Sequence, residues 1–558
     1  MVLSIQELEW GLDNMNQTQF QAYQNIPQEK FTIVATQDIH DLKLDTKPVG
    51  YMKDAFRRFC KNKASVTAAI IIIFLLLFAV VGPFISKYET TFVDQNVQYL
   101  LPKSKNLQFL GWNGYSKKTI SKADYIEYRA IEQELGVEVI SKVYDEYTTE
   151  TKMGKLVYYN TYYECKVNSY TATIMKEVQL TKEAYVALQN YQDENDVQVI
   201  YPITRMIYFK TDESVRADNA NKDANGKFYS QSIYKDNANI WYRIQGSGNN
   251  KGIPAGYTNK NTYDEIKLTH DYVTSSLVST SDDYTSKMRV SFEENNEFKY
   301  AKKVSGGNYL VRVNYNEYFE YLHGHEPLFL FGADQYGKDI FVNLAAGARF
   351  SLIFALCISA INLIIGAIYG AIEGYYGGAA DMIMERITDI LGGVPFMIVV
   401  TLFKLHIMDK VGTVTTMIFA FVLTGWIGMA STTRMQFYRY KNQEYVLAAR
   451  TLGAKDRRIM FKHIFPNALG TLITSCVLVI PGVIFSESSL SYLGIVNLGV
   501  GGSTSVGTLM ANGRGSISTY PHVILFPAVF IALLMITFNL FGNGLRDAFN
   551  PSLRGSEE

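Results

Sequence analysis

The apolar positions of this chain gather in long runs near its two ends and leave a long polar stretch between them. Val66 to Ile85 is nearly unbroken Ala, Ile, Leu, Phe and Val, about the ~20 residues a helix needs to cross roughly 30 Å of hydrocarbon. It begins too deep in the chain to be a cleavable signal peptide. Further runs predict spans at about Arg349–Gly370, Met384–His406, Val414–Ala430, Leu469–Glu487 and Val523–Gly542, with Glu385, Arg386 and Asp389 crowding the start of the Met384 run. The expected fold class is a polytopic α-helical membrane protein of about six spans.

Between the first and second spans, from about Tyr88 to Glu326, the chain is hydrophilic and rich in tyrosine, asparagine and charge. Lys155–Val167, Val197–Lys210 and Tyr309–Tyr315 read as strands, and Asn225-Gly226 as a hairpin turn. Ser121 and Asp124 look like a capping box for a helix that stops at Gly136. Thr181–Gln192 reads as a second helix with Ala184, Tyr185, Leu188 and Tyr191 on one face. This predicts an inserted α+β domain whose core relies on tyrosine rings, because Leu and Ile are few.

Charge orients the bundle. Lys53, Arg57, Arg58, Lys61 and Lys63 precede the first span, which places the N-terminus in the cytoplasm. With six crossings the basic loop Ser431–Ala468 and the C-terminal tail with Arg546 and Arg554 are cytoplasmic too, while Lys404 and Lys410 near a short outer loop run against the rule. The insertion is then extracellular. Net charge is zero over 558 residues, which argues against nucleic acid as a partner. Of the four cysteines only Cys165 lies in the polar middle, so that region has no internal disulfide.

Four features carry candidate chemistry. Asn362, Glu487 and Asn539 are polar residues inside spans, where an acid costs roughly 2.5 kcal/mol or more in lipid; with Trp426 they could line a wet path, or simply pack helices. Pro481-Gly482 can bend the helix before Glu487. Gly366, Gly370 and Gly374 form a small-residue stripe, either ordinary packing or contact with a second subunit. Gly332-Ala-Asp-Gln-Tyr-Gly337-Lys338 matches most of a phosphate loop, but Asp339 stands where Ser or Thr should hold magnesium, so nucleotide binding is not expected. His323-Gly-His325-Glu326 could ligate metal, but no further ligands are specified and none is expected to bind.

The most informative segment is the basic loop. Tyr445, Ala448, Ala449 and Leu452 share one helical face, and Gly453 can end that helix in a left-handed cap. Asp456 can cap a second helix with Ile459, Met460 and Ile464 on one face. Such a knob could be offered to a soluble partner; ordinary amphipathic turns in a basic loop fit the pattern equally well.

With Leu447-Ala448-Ala449, Gly453 and Pro466, this segment resembles the coupling loop of ABC-importer permeases, Leu447 departing from the family's glutamate. Phe56–Lys63 before the first span, Phe331–Asp339, Gly347–Ser351, Gly374–Gly378, Asp381…Arg386…Asp389 and Phe538–Asp547 resemble the dipeptide and oligopeptide branch of that family. The resemblance implies a non-catalytic permease subunit of an ATP-driven peptide importer. It implies residues 1–63 as a cytoplasmic segment, 64–87 as the first span, 88–326 as the extracellular insertion, 327–545 as the permease domain with coupling loop 431–468, and 546–558 as a cytoplasmic tail. It further implies that Tyr445, Leu447, Ala448, Ala449, Leu452, Gly453, Ala454, Asp456 and Pro466 couple to the ATPases. The implied partners are two ATPase subunits holding ATP and magnesium, a second homologous permease, an extracellular substrate-binding lipoprotein, the peptide and the surrounding lipid. The insertion would dock the binding protein through exposed tyrosines, or act as a spacer. The alternatives are a membrane receptor with an outer sensor domain, and a related permease for nickel or another small solute.

Overall fold

The computed structural model describes residues 51–153, 156–201, 301–499 and 504–549, together with short strand segments between 204 and 298. The expected Asn225-Gly226 turn lies outside the described residues. The chain divides after Arg57 into an N-terminal unit and a larger remainder.

Helix α1 (Tyr51–Lys61) precedes α2 (Lys63–Ile85), where the Asn62 side chain caps the N–H of Ser65. The insertion follows as β1 (Tyr115–Ser121), α3 (Lys122–Leu135), β2 (Ile140–Met153), β3 (Leu156–Asn168), β4 (Met175–Leu180), α4 (Lys182–Asn195), β5 (Ile200–Tyr201), β6 (Ala301–Lys303), β7 (Tyr309–Asn314) and α5 (Tyr315–His323). One antiparallel sheet has the order β1-β3-β2; the other runs β6-β7-β4, with β5 also pairing β7. The expected strand over Val197–Lys210 is instead three short pieces, Ile200–Tyr201, Thr204–Met206 and Phe209–Lys210.

These two sheets are two copies of one plan. Ser121 caps α3 and, sixty positions on, Thr181 caps α4. Both helices end in a left-handed residue, Gly136 and Asp196. In the first copy Glu132 Oε1 accepts from the N–H groups of Val139 and Ile140 at 2.9 and 2.7 Å. In the second, Gln192 Oε1 accepts from Val199 and Ile200, both at 2.7 Å. Ile120 opposes Tyr163 as Leu180 opposes Tyr309, and Asn168 and Asn314 each close their strand by donating to the carbonyl of Val139 or Val199. The tyrosine pairs Tyr125–Tyr163 and Tyr185–Tyr309 occupy matching places. Tyrosine is indeed a core residue here, with Tyr88, Tyr170, Tyr185 and Tyr315 all buried.

The second copy shares its core with the start of the bundle through Phe329, Ala333 and Val342, whereas the first has its own core around Ile131, Val139 and Cys165. Further links pin the insertion in place: Tyr99 stacks on Tyr520 at 4.3 Å, and the Trp112 indole N–H donates to the Leu330 carbonyl at 2.6 Å.

The bundle comprises α6 (Ile340–Tyr376), α7 (Gly378–Gly392), α8 (Phe396–His406), α9 (Thr413–Tyr440), the loop helix α10 (Glu444–Thr451), α11 (Asp456–Tyr492), the short α12 (Val506–Gly513) and α13 (His522–Phe549). Among the described residues α2, α6, α9, α11 and α13 are long and apolar enough to cross a membrane; α7 and α8 bend by 73° and make a sixth span if taken together. The expected span Met384–His406 falls on this bent pair. Pro395 supplies no N–H and drives Val394 out of helical geometry, which places the break there. Helix α11, by contrast, continues through Pro481-Gly482 to Tyr492, so the chain stays helical on both sides of that pair. Its start contains one wide turn, Ile459–Ile464, just ahead of Pro466, which has no N–H to donate.

Candidate functional site

The loop between α9 and α11 is a folded knob. At the end of α10 the N–H of Gly453 bonds the carbonyl of Arg450 and that of Ala454 bonds Ala449, both at 3.0 Å. This is a Schellman closure, and it requires the left-handed φ of 83° that glycine adopts without a Cβ penalty. Val446 and Ala449 are buried, and Val446 packs with Tyr375, Phe437, Ile459, Met460 and Ile464. Each fully buried aliphatic side chain here contributes about 1.5–3 kcal/mol.

Most of the expected apolar face is exposed. Of Tyr445, Ala448, Ala449 and Leu452, only Ala449 is buried; Val446 takes the inward place. Tyr445, Leu447 and Phe461 are 41%, 44% and 48% exposed and Leu452 is 88% exposed, so these side chains contribute little to the chain's own fold. Asn467 donates to the Tyr445 hydroxyl at 3.1 Å and ties α10 to α11; burial lifts the Tyr445 phenol above its ordinary value and the Asn467 bond opposes that. Asp456 does not cap its helix, whose N-cap is Lys455; its carboxylate accepts from the Tyr375 hydroxyl at 2.7 Å instead. Ala454 is half-buried and Pro466 exposed, and Arg450, Lys455, Arg457, Arg458 and Lys462 surround the knob with exposed positive charge.

The four candidate path residues have separate environments. Glu487 is 1% exposed and accepts from Ser505, Ser351, Ser491 and Ser488 at 2.7, 3.2, 3.2 and 3.3 Å, which fastens α12 to α6 and α11. Asn362 is buried against Gly425, and its Oδ1 has no partner among the described residues, an arrangement that costs about 1–3 kcal/mol. Trp426 packs on Tyr369 with ring centroids 4.7 Å apart and donates to Leu423. Asn539 is exposed and donates to the Met535 carbonyl at 2.8 Å, within its own helix. The glycine stripe is filled from within the chain: a Cβ on Gly366, Gly370 or Gly374 would collide with the backbone of α9 at Trp426, Ala430 or Arg434. Its assignment to contact with a second subunit is corrected accordingly.

The phosphate-loop look-alike is a turn that launches α6. Asp334 Oδ1 accepts from the N–H groups of Tyr336 and Lys338, and Asp339 caps the helix at Phe341 and accepts from the Ser86 hydroxyl. Burial pushes the Asp339 carboxyl up to about 6. His323 and His325 pack in an aromatic cluster with Phe319, Phe92 and Tyr88. Sequence reasoning missed Arg434, which gathers three carboxylates, because it lies past the expected end of the span at Ala430 and counts there as one more positive charge of the basic loop.

Residues 362–555 match the family described as the binding-protein-dependent transport system inner membrane component. Residues 50–102 match the N-terminal transmembrane domain of oligopeptide transport permease C; much of the insertion falls between the two matches. The chain is similar to the oligopeptide transport system permease protein OppC of Bacillus subtilis, 46% identical over 225 residues that span 40% of this chain and 72% of that protein. The dipeptide transport system permease protein DppC of Bacillus subtilis is 43% identical over 226 residues, 40% of this chain and 69% of that protein. OppC of Escherichia coli is 35% identical over 225 residues, 40% of this chain and 72% of that protein. Among solved structures, the inward-facing MetNI methionine ABC transporter matches 37% of this chain and 96% of its own at 17% identity, with a TM-score of 0.32.

Proposed function

We propose, on the premise that this chain belongs to the binding-protein-dependent transport permeases and to their oligopeptide and dipeptide branch, that its knob at Tyr445–Pro466 is where partner ATPases drive peptide across the membrane. The chain is a multi-pass permease subunit of a peptide ABC transporter. In this reading ATP and magnesium belong to two ATPase subunits, a second homologous permease completes the path, and an extracellular substrate-binding lipoprotein delivers the peptide. The basic loop and both termini face the cytoplasm, as the lysines and arginines flanking the spans favour, and residues 88–326 face outward.

The observation that carries the proposal is two-sided. One face of the knob is sealed by Val446, Ala449, Ile459 and Ile464, while Tyr445, Leu447, Leu452 and Phe461 leave an apolar patch on the other. A rigid body that keeps apolar surface among positive charges suits insertion into a groove on a protein partner. When the ATPases close on ATP, the knob is displaced and the spans tilt, and the pathway alternates between outward and inward access without covalent chemistry.

The test uses the whole complex. Leu452→Asp puts a charge on the most exposed of these four side chains without touching the fold, and Gly453→Val strains the φ of 83°. Both variants should lower co-purification of the ATPase subunits and peptide uptake tenfold or more, and Leu452→Asp should leave the permease's thermal midpoint unchanged. Normal assembly and uptake in both variants would reject the coupling site.

A further inference from the structure

Arg434 lies near the end of α9, just before the loop. Its Nε and Nη2 donate to Oδ1 and Oδ2 of Asp381 at 2.6 and 2.9 Å, and its Nη1 and Nη2 donate to Oε1 and Oε2 of Glu385 at 2.9 and 3.2 Å. Asp381 and Glu385 are four residues apart on α7, so they share a face. Glu373 on α6 stands 3.6 Å from the same Nε. One planar guanidinium thus holds two carboxylates in paired contacts, a geometry lysine does not reproduce. The Tyr438 hydroxyl also donates to Asp381 at 2.6 Å, and Lys441 Nζ donates to the Gly374 carbonyl at 3.0 Å.

These contacts converge on the elbow between α6 and α7, where Gly377 and Gly378 have φ of 67° and 57°. Two consecutive left-handed glycines give a turn with little torsional resistance. Helix α7 has no fully buried side chain. A further polar tie to the bundle is the Tyr369 hydroxyl, which donates to the Met384 carbonyl at 2.8 Å. On the far side of the loop, Asp456 holds Tyr375 at the end of α6. The elbow is therefore held by the end of α9 just before the knob and by Asp456 within it, and α7 leads directly into the 73° break before α8.

We infer that Arg434 is a positioning residue for transport: it makes the α6–α7 elbow follow the knob, so that displacement of the loop becomes movement of the broken span α7–α8. The inference rests on the coupling role proposed above for the knob.

The test is made on the complete complex in proteoliposomes, with peptide uptake and ATP hydrolysis measured together. Arg434→Gln should lower peptide moved per ATP hydrolysed tenfold or more, while the ATPase subunits still co-purify and the KM for peptide stays within twofold. Arg434→Lys, which keeps the charge and loses the fork, should fall between. The exchange Arg434→Asp with Asp381→Arg should recover at least a third of the lost ratio, which a purely structural role would not produce. A normal transport ratio in Arg434→Gln, or in Arg434→Lys should the first variant fail to assemble, overturns the inference; so does an assembled exchange variant with no recovery. If Leu452→Asp leaves ATPase association intact, it is the coupling role of the knob that falls, and the two failures remain distinct.

Discussion

The two copies within the insertion perform the same hydrogen-bonding task with different chemistry. In the first, the carboxylate of Glu132 receives two backbone N–H groups and also pairs with Arg129 at 2.6 Å. In the second, the amide oxygen of Gln192 receives the equivalent pair in a residue only 1% exposed. The first copy stands on its own core, and the second is sealed against Phe329 and Val342 at the start of the bundle. Where water and an arginine are at hand a charged acceptor is tolerable; where neither is, a neutral one avoids the cost of burying charge. The plan is shared, and the local dielectric selects the residue.

Three substitutions press on this contrast. Gln192→Ala leaves two buried N–H groups unpaired at about 1–3 kcal/mol each, so denaturant unfolding of the purified permease should show the insertion destabilised by about 2–6 kcal/mol. Gln192→Glu restores the acceptor as a buried acid. Its carboxyl should titrate above the ordinary range, so the variant should match the parent at low pH and lose stability as pH rises, a pH dependence readable in thermal melts. A pH-independent melt would mean that the second copy is wetter than its burial indicates. Glu132→Gln keeps the acceptor and loses only a partly exposed ion pair, so its change should stay within about 1 kcal/mol. A loss as large as that of Gln192→Ala would erase the distinction between the copies.

Much of this architecture was legible in the sequence. Val66–Ile85 could only be a span, and Ser121 with Asp124 and Gly136 delimited α3 as the structure has it. Gly453 was legible for the same reason, since a left-handed helix end asks for one residue type. What escaped notice depends on partners distant in the chain. The repeat was hidden because Lys122, Tyr125, Val137, Val139 and Ile140 recur at sixty-residue spacing among changed neighbours, and because the matching strands β3 and β7 lie much further apart in sequence. Periodicity gave the helix α10 but not which side faces inward, because the partners of Val446 come from α6, α9 and α11. Glu487 looked like an acid awaiting a path, and its four serines come from three separate segments. Arg386 caught the eye beside Asp389, yet it is that exposed pair that stands apart, while Asp381 answers to Arg434.

Helix α6 has 37 residues and so extends about 55 Å, nearly twice the thickness of a hydrocarbon core. Its Val342 belongs to the core of the inserted domain, and its Tyr375 belongs to the cluster beneath the knob. A single unbroken rod therefore has one end set in the polar domain and the other in the loop cluster. A tilt applied at either end must appear at the other at once, with no relay of side chains in between. The inserted domain and the loop cluster are thereby joined through this one piece of secondary structure.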